Sequence, residues 1–292
     1  MGNTEIKYSL TFNKPLVKGL SAYDNFAGLQ QKLITLNETD IKISIDWNGR
    51  LGRTYLFLIN CLGYLALEHG KNLNTFNVSN KIYNYLNNMK FLEVPQLSIT
   101  PNLRFIRLNQ KEDTLDMAKN IVKNIPAELS PKLYEDMVSK IGEMYNNSRE
   151  HANAKHVLGC RYSKPGKKYC FACYDTGIGI SKKVRNYHEK TEKEFSDKKA
   201  LEWALAPFNS TAERRIGPKG QGLDLLKNFA KTNKGEIRIC TGKVLYTYKG
   251  ETNTEEYREL KNRFWGTLFE MDINAFDGKY SYRGENNNEN NY

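Results

Sequence analysis

Three groups of residues in the 292-residue chain have types and spacings that suit chemistry. Glu143, Asn147 and His151 recur every fourth position in Glu143-Met-Tyr-Asn-Asn-Ser-Arg-Glu-His151. On a helix that spacing puts a carboxylate, an amide and an imidazole on one face. The same spacing alone also describes a solvated polar stripe. Asp175 opens the run Asp175-Thr-Gly-Ile-Gly179, directly after the apolar stretch Lys168–Tyr174. An acidic residue at a strand end followed by Gly177 and Gly179 makes a turn where a flat ring can approach the backbone closely. A plain turn accounts for that signal about as well. The third group is Gly217-Pro-Lys-Gly-Gln-Gly222, which runs into the apolar-periodic stretch Leu223–Lys231. Glycine-rich backbone at a helix N-terminus offers free N–H donors and the positive end of the helix dipole, which suits phosphate. Lys219 adds a point charge to that loop. A simple loop-to-helix junction is the alternative. No Gly-Lys-Ser/Thr follows at the spacing of the lysine-ended P-loop.

The elements that must position these groups follow from hydrophobic period. Ser130-Pro131 starts a helix, because proline at the first helical position gives up an N–H that has no partner there anyway. Val138, Ile141 and Met144 define its core face, beside the polar stripe. Strands are expected over Leu103–Leu108, Lys168–Tyr174, Gly235–Cys240 and Trp265–Met271, with a helix over Asp113–Asn124 that ends before Pro126. Upstream, strand and helix patterns alternate: Glu5–Phe12, Asp24–Leu36, Ile41–Ile45, Thr54–Glu68, Leu73–Val78, and a helix capped by Ser79 that runs to Met89. This βαβαβα order predicts a small α/β layer domain over 1–94. Pro95 and Pro101 mark a linker over 95–101, a second domain covers 102–283, and the Asn/Glu-rich end, 284–292, reads as a disordered tail.

Taken in order, the Glu143–His151 helix, the Asp175 turn, the Gly217–Gly222 loop and Trp265-Gly-Thr-Leu-Phe-Glu-Met271 resemble the ordered motifs of the GHKL superfamily of ATPases. That superfamily includes gyrase-type topoisomerases, histidine kinases, mismatch-repair ATPases and anti-sigma-factor kinases. The resemblance covers roughly 102–276. It implies a Bergerat-fold α/β sandwich, a mixed sheet with helices on one face, that binds ATP with Mg²⁺. Carried over, Asn147 would give its amide oxygen to Mg²⁺, Glu143 would act as general base on the attacking water, and Asp175 would accept the adenine amine. Gly177 and Gly179 would admit the nucleotide, and Thr267 would support the adenine edge. Gly217, Lys219, Gly220 and Gly222 would hold the phosphates. His151 resembles a residue of the stand-alone anti-sigma-type relatives, and an interior packing histidine is the competing explanation. His69 lacks the helix pattern of a phosphoacceptor, so the chain is not a recognisable histidine kinase. Ser181–Ile216 is expected to be a mobile lid, with a short helix over Asp197–Phe208. The N-terminal part faintly resembles STAS-like domains, but Leu51-Gly-Arg-Thr54 stands where their phosphoacceptor turn would be.

Composition narrows the rest. Cys170 and Cys173 form a Cys-x-x-Cys, but on a strand they point to opposite faces and read as packing residues. Five scattered cysteines do not frame a disulfide scaffold. No run approaches the roughly 18 apolar residues of a membrane span, and the first residues lack a signal-peptide pattern, so no membrane association and a cytoplasmic location are expected. The net charge of +11 suits a polyanionic nucleotide, nucleic acid or a solvated surface equally. Three functions are therefore open. One is an ATPase switch acting on a protein partner, with a homodimer as one arrangement. The second is an anti-sigma-type serine/threonine kinase whose substrate is a STAS-like protein. The third is an ATP-gated nucleic-acid-binding module, which no recognised nucleic-acid motif supports. Tyr246–Phe264 is expected to be an exposed hairpin or loop.

Overall fold

In the computed structural model the described residues are 7–12, 20–37, 39–47, 53–76, 99–100, 103–107, 111–151, 154–164, 168–206, 209, 211, 222–274 and 278–281. They form a mixed α/β protein. Strands β1 (Lys7–Phe12), β2 (Asp40–Trp47) and β3 (Asn72–Phe76) pair in parallel in the order β1-β2-β3. Parallel neighbours need a crossover, and helices α1 (Leu20–Thr35) and α2 (Arg53–Glu68) provide the two. These elements follow the expected order of the first 76 residues. The helix expected over Ser79–Met89 and the tail 284–292 lie outside the described residues.

A six-stranded sheet carries the rest, in the order β4-β5-β7-β8-β10-β9. Its strands are β4 (Ile99–Thr100), β5 (Leu103–Arg107), β7 (Val157–Lys164), β8 (Lys168–Asp175), β9 (Glu236–Lys249) and β10 (Thr254–Asn274). Between them run β6 (Glu128–Leu129) and helices α3 (Lys111–Lys123), α4 (Pro131–His151), α5 (Ile180–Tyr187), α6 (Asp197–Leu205) and α7 (Gly222–Thr232). A last strand, β11 (Lys279–Tyr280), pairs in parallel with β6. Two residues of the expected linker, Ile99 and Thr100, are strand β4. No helix among the described residues is long and apolar enough to cross a membrane.

The sheet corrects one expectation and adds a second covered face. Every described pairing in it is antiparallel, where a mixed sheet was expected. The reason is local: β7–β8 and β9–β10 are hairpins, and a strand that returns directly pairs antiparallel. The helices of its own half that enter a core, α3, α4, α6 and α7, lie on one face as expected, while α1 and α2 of the N-terminal part cover the other. Alternation along β8 shows why. Tyr169, Phe171 and Cys173 enter one core with Met117 and Ile121 of α3, Met137, Ile141 and Tyr145 of α4, and Phe229 of α7. Cys170, Ala172 and Tyr174 enter a second core with Phe26 and Leu33 of α1 and Phe57, Leu58 and Leu62 of α2. A strand buried on both sides needs apolar residues at nearly every position, which is the pattern read in Lys168–Tyr174. The N-terminal helices therefore share a core with the second half of the chain.

The segment Tyr246–Phe264, expected as an exposed hairpin or loop, is a hairpin with an exposed tip. It is a long two-stranded extension of β9 and β10, in register from Thr254↔Lys249 to Glu259↔Val244. The register then shifts between Glu259 and Phe264. At that irregularity Asn262 faces α1: its N–H donates to the Asp24 carboxylate at 2.8 Å, and its side-chain amide donates to the Asp24 carbonyl at 3.2 Å.

Candidate functional site

β8 ends at Asp175, and the antiparallel register places Thr267 of β10 directly opposite it. Paired residues share a face, here the one covered by α4. Asp175 is 1% exposed. Burial pushes its carboxyl up to about 7; hydrogen bonding from the Gly177 N–H and from the Thr267 N–H and hydroxyl opposes that, and the charge of Glu68 adds to it. The Gly177 N–H lies 3.0 Å from a carboxylate oxygen. The sheet thus presents a nearly buried carboxylate that changes charge near neutrality, with a hydroxyl beside it.

The turn after Asp175 is built against the strands rather than projecting from them. Gly179 has φ +81°, caps α5, and packs on β9 and β10: a Cβ there would lie 2.7 Å from Thr241 Oγ1 and 3.1 Å from the Gly266 carbonyl. Thr241 bridges the two sides, accepting from the Ile180 N–H at 3.0 Å and donating to the Gly266 carbonyl at 3.2 Å. Gly266 (φ +79°) approaches the Asp175 backbone so closely that a Cβ would fall 1.8 Å from the Asp175 carbonyl oxygen. Both glycines meet the requirement for an unencumbered backbone. Thr176 closes the other side, its N–H donating to the His156 carbonyl at 3.1 Å.

Helix α4 lies over this face. Leu133, Met137, Ile141 and Tyr145 are buried at a helical spacing of four. The Tyr145 hydroxyl donates to the Ala172 carbonyl at 3.0 Å, and the Cys173 thiol donates to Ser148 Oγ at 3.7 Å. These contacts fix the helix along β8. Glu143 and Asn147 both lie on α4, as their spacing requires; Asn147 is half-buried. The Glu143 side chain, 40% exposed, pairs with Lys140 at 3.2 Å. His151 is the last residue of α4, and its side chain lies outside the described residues. Gly217, Lys219 and Gly220 also lie outside them, whereas Gly222 is the first residue of α7.

The segment expected as a mobile lid is, from Ser181 to Leu205, a docked helical pair. Arg185 and Asp197, both nearly buried, form an ion pair at 2.6 Å. The second Asp197 oxygen accepts from the Lys243 N–H at 2.8 Å and lies 3.4 Å from Arg263. Gly242 (φ +55°) leaves room for that carboxylate, since a Cβ there would meet it at 2.7 Å. One aspartate therefore fastens α5 and α6 to β9. The remainder of the expected lid is outside the described residues, apart from Ala206, Asn209 and Thr211.

Cys170 and Cys173 are buried on opposite faces of the sheet, as their spacing predicted. Burial raises the Cys173 thiol well above its ordinary range, so it is not a ready thiolate. Motif reading missed Thr241 and, behind the sheet, Gln30, and gave no role to Gly266 within Trp265–Met271. Thr241 stands in no motif. Gln30 did leave a signal: it occupies a core position of α1, in the spacing Tyr23, Phe26, Ala27, Gln30, Leu33. No protein-family model matches the chain, and no curated protein matches it.

Proposed function

We propose that residues 102–283 form a Bergerat-type ATP pocket of the GHKL kind, which binds ATP with Mg²⁺ and serves as a hydrolysing switch on a protein partner. The pairing of Asp175 with Thr267, under the helix that bears Glu143 and Asn147, is the observation that carries this reading. An ionised carboxylate has about four acceptor positions. Three donors, the Gly177 N–H and the N–H and hydroxyl of Thr267, leave room for one more, which suits the exocyclic amine of adenine. Guanine presents a carbonyl at that place and would meet the carboxylate with repulsion.

The donor set also fits the metal. Asn147 would contribute one amide oxygen, in keeping with a cation that retains several waters and takes few protein ligands. Bound Mg²⁺ would neutralise charge on the phosphates. Glu143, four residues earlier on the same face and open to solvent, would take the proton from the attacking water, and Lys140 holds its carboxylate meanwhile. Gly222 at the start of α7, with Gly217, Lys219 and Gly220 before it, would bind the phosphates. Any nucleotide-driven movement of Ile180–Leu205 against the sheet would have to break the contacts of Asp197 with the Lys243 N–H and with Arg263, which sets a threshold for switching through that segment.

Calorimetric titration with ATP, ADP and GTP, each with and without Mg²⁺, tests the reading. The expected result is binding of ATP·Mg²⁺ at least tenfold tighter than GTP·Mg²⁺, with the preference lost in Asp175→Asn. Absence of any binding at millimolar nucleotide would overturn it.

A further inference from the structure

We infer that Gln30, on the N-terminal helix α1, is a positioning residue of the nucleotide pocket, because its amide fixes the backbone that carries Thr267 and steadies the strand end that carries Asp175. The inference rests on the reading above and extends it to a residue on the opposite face of the sheet.

The ladder between β9 and β10 is irregular. Its register shifts between Phe264 and Thr267, at Trp265-Gly266. Such an irregularity takes backbone groups out of the regular pairing, and buried backbone groups must find partners elsewhere. Gln30 is fully buried and supplies them. Its Oε1 accepts from the Trp265 N–H at 3.0 Å, and its Nε2 donates to the Trp265 carbonyl at 3.0 Å. One side-chain amide thus stands in for a missing strand neighbour. Nε2 also donates to the Tyr174 hydroxyl at 2.9 Å, and that hydroxyl donates in turn to the Trp265 carbonyl at 3.0 Å. This arrangement fixes which way the amide points, because the reversed orientation would set donor against donor.

Trp265 immediately precedes Gly266, whose backbone lies against that of Asp175, and Gly266 precedes Thr267. Tyr174 immediately precedes Asp175. The Gln30 amide therefore ties together the two strand ends that hold the base-recognising pair. Helix α1 is itself held in register on β10 by Asp24 at Asn262 and by Phe26 against Phe264, with ring centroids 5.7 Å apart. A residue of similar size without the amide would fill the same space, take the Gln30 acceptor from the Trp265 N–H and one of two donors from its carbonyl, and free the irregularity to relax. Because coupling between sites is reciprocal, nucleotide in the pocket tightens α1 as much as α1 tightens the pocket.

The test uses the full-length chain with Gln30→Met, which keeps the volume and removes the amide, and Tyr174→Phe, which keeps the ring and removes the hydroxyl. ATP·Mg²⁺ and GTP·Mg²⁺ dissociation constants are measured by calorimetry, and the melting temperature without nucleotide is measured alongside. Gln30→Met is expected to weaken ATP binding at least tenfold and to shrink the ATP-over-GTP ratio, with a smaller loss of about threefold in Tyr174→Phe. In the wild type, ATP is expected to slow amide exchange in Leu20–Thr35. A residue that only stabilises the fold would lower the melting temperature and leave the ATP-over-GTP ratio at its wild-type value, and that result would overturn the inference. If Gln30→Met does not fold, Tyr174→Phe decides: unchanged affinity and ratio would overturn it. Failure of the wild type to bind any nucleotide would instead overturn the pocket reading, and this inference with it.

Discussion

Asp175 and Thr267 face each other across the β8–β10 ladder, and the hydroxyl and N–H of the threonine are among the few groups that favour ionisation of the buried carboxylate. Burial outweighs them and the carboxyl is pushed up to about 7. In the unfolded chain this acid ionises near 4, while the folded protein holds the proton up to about 7. Between those values the folded state binds more protons, so stability falls as pH rises from about 4 to about 7, and this contribution is flat above. The shift bounds the loss at roughly 4 kcal/mol. Asp175→Asn should remove that slope, so the variant without nucleotide should be more stable than wild type at pH 8 in urea denaturation and differ little at pH 4. Equal pH dependence in the two proteins would contradict the buried placement of Asp175.

Gly266 cannot carry a side chain in this structure. A Cβ would meet the Asp175 carbonyl oxygen at 1.8 Å, and φ is +79°. Gly266→Ala is expected to cost at least about 2 kcal/mol, since relief requires the strands to separate at the site. Denaturation midpoints of the two proteins measure it, and a difference under about 0.5 kcal/mol would rule out this close approach.

Asp197 gives a different kind of prediction. Its removal leaves Arg185 as a nearly buried charge without its carboxylate. Breaking such a pair from one side costs about 3–5 kcal/mol. Asp197→Ala should release α5 and α6, seen as faster amide exchange over Ile180–Leu205 relative to β8. Unaltered exchange there would mean that apolar contacts of Ala200 and Leu201 hold the segment by themselves.

Glu143 is the proposed base, and its carboxylate is solvent-accessible beside Lys140. Glu143→Ala should retain ATP affinity within about twofold and lose at least a hundredfold in ATP turnover, the range typical of a removed general base. Full turnover in the variant would remove Glu143 from the mechanism.

The parts of this architecture legible in the sequence are those governed by local period. The α4 stripe, the two-sided burial of β8 and the opposed cysteines all follow from helix or strand geometry. Long-range arrangements did not show. The segment Thr254–Glu259 is rich in charge and fits a hairpin or a loop alike; it pairs with β9, because a strand with one face toward solvent needs few apolar residues. The packing of α1 on β10 and the partnership of Gln30 with Trp265 join positions more than 230 apart, and no spacing rule reaches that far. Thr241 is visible as a bridge only once β9 and β10 are placed beside the Gly179 turn.

The central claim is that the face shared by Asp175, Thr267 and α4 binds ATP with Mg²⁺. The most direct measurement is a thermal shift with ATP, ADP and GTP, with and without Mg²⁺, on wild type and Asn147→Ala. A ligand that binds only the folded state must raise its apparent stability. A rise with ATP that is larger with Mg²⁺ is expected, with loss of that Mg²⁺-dependent part in Asn147→Ala. An unchanged melting temperature at millimolar ATP·Mg²⁺ would contradict it.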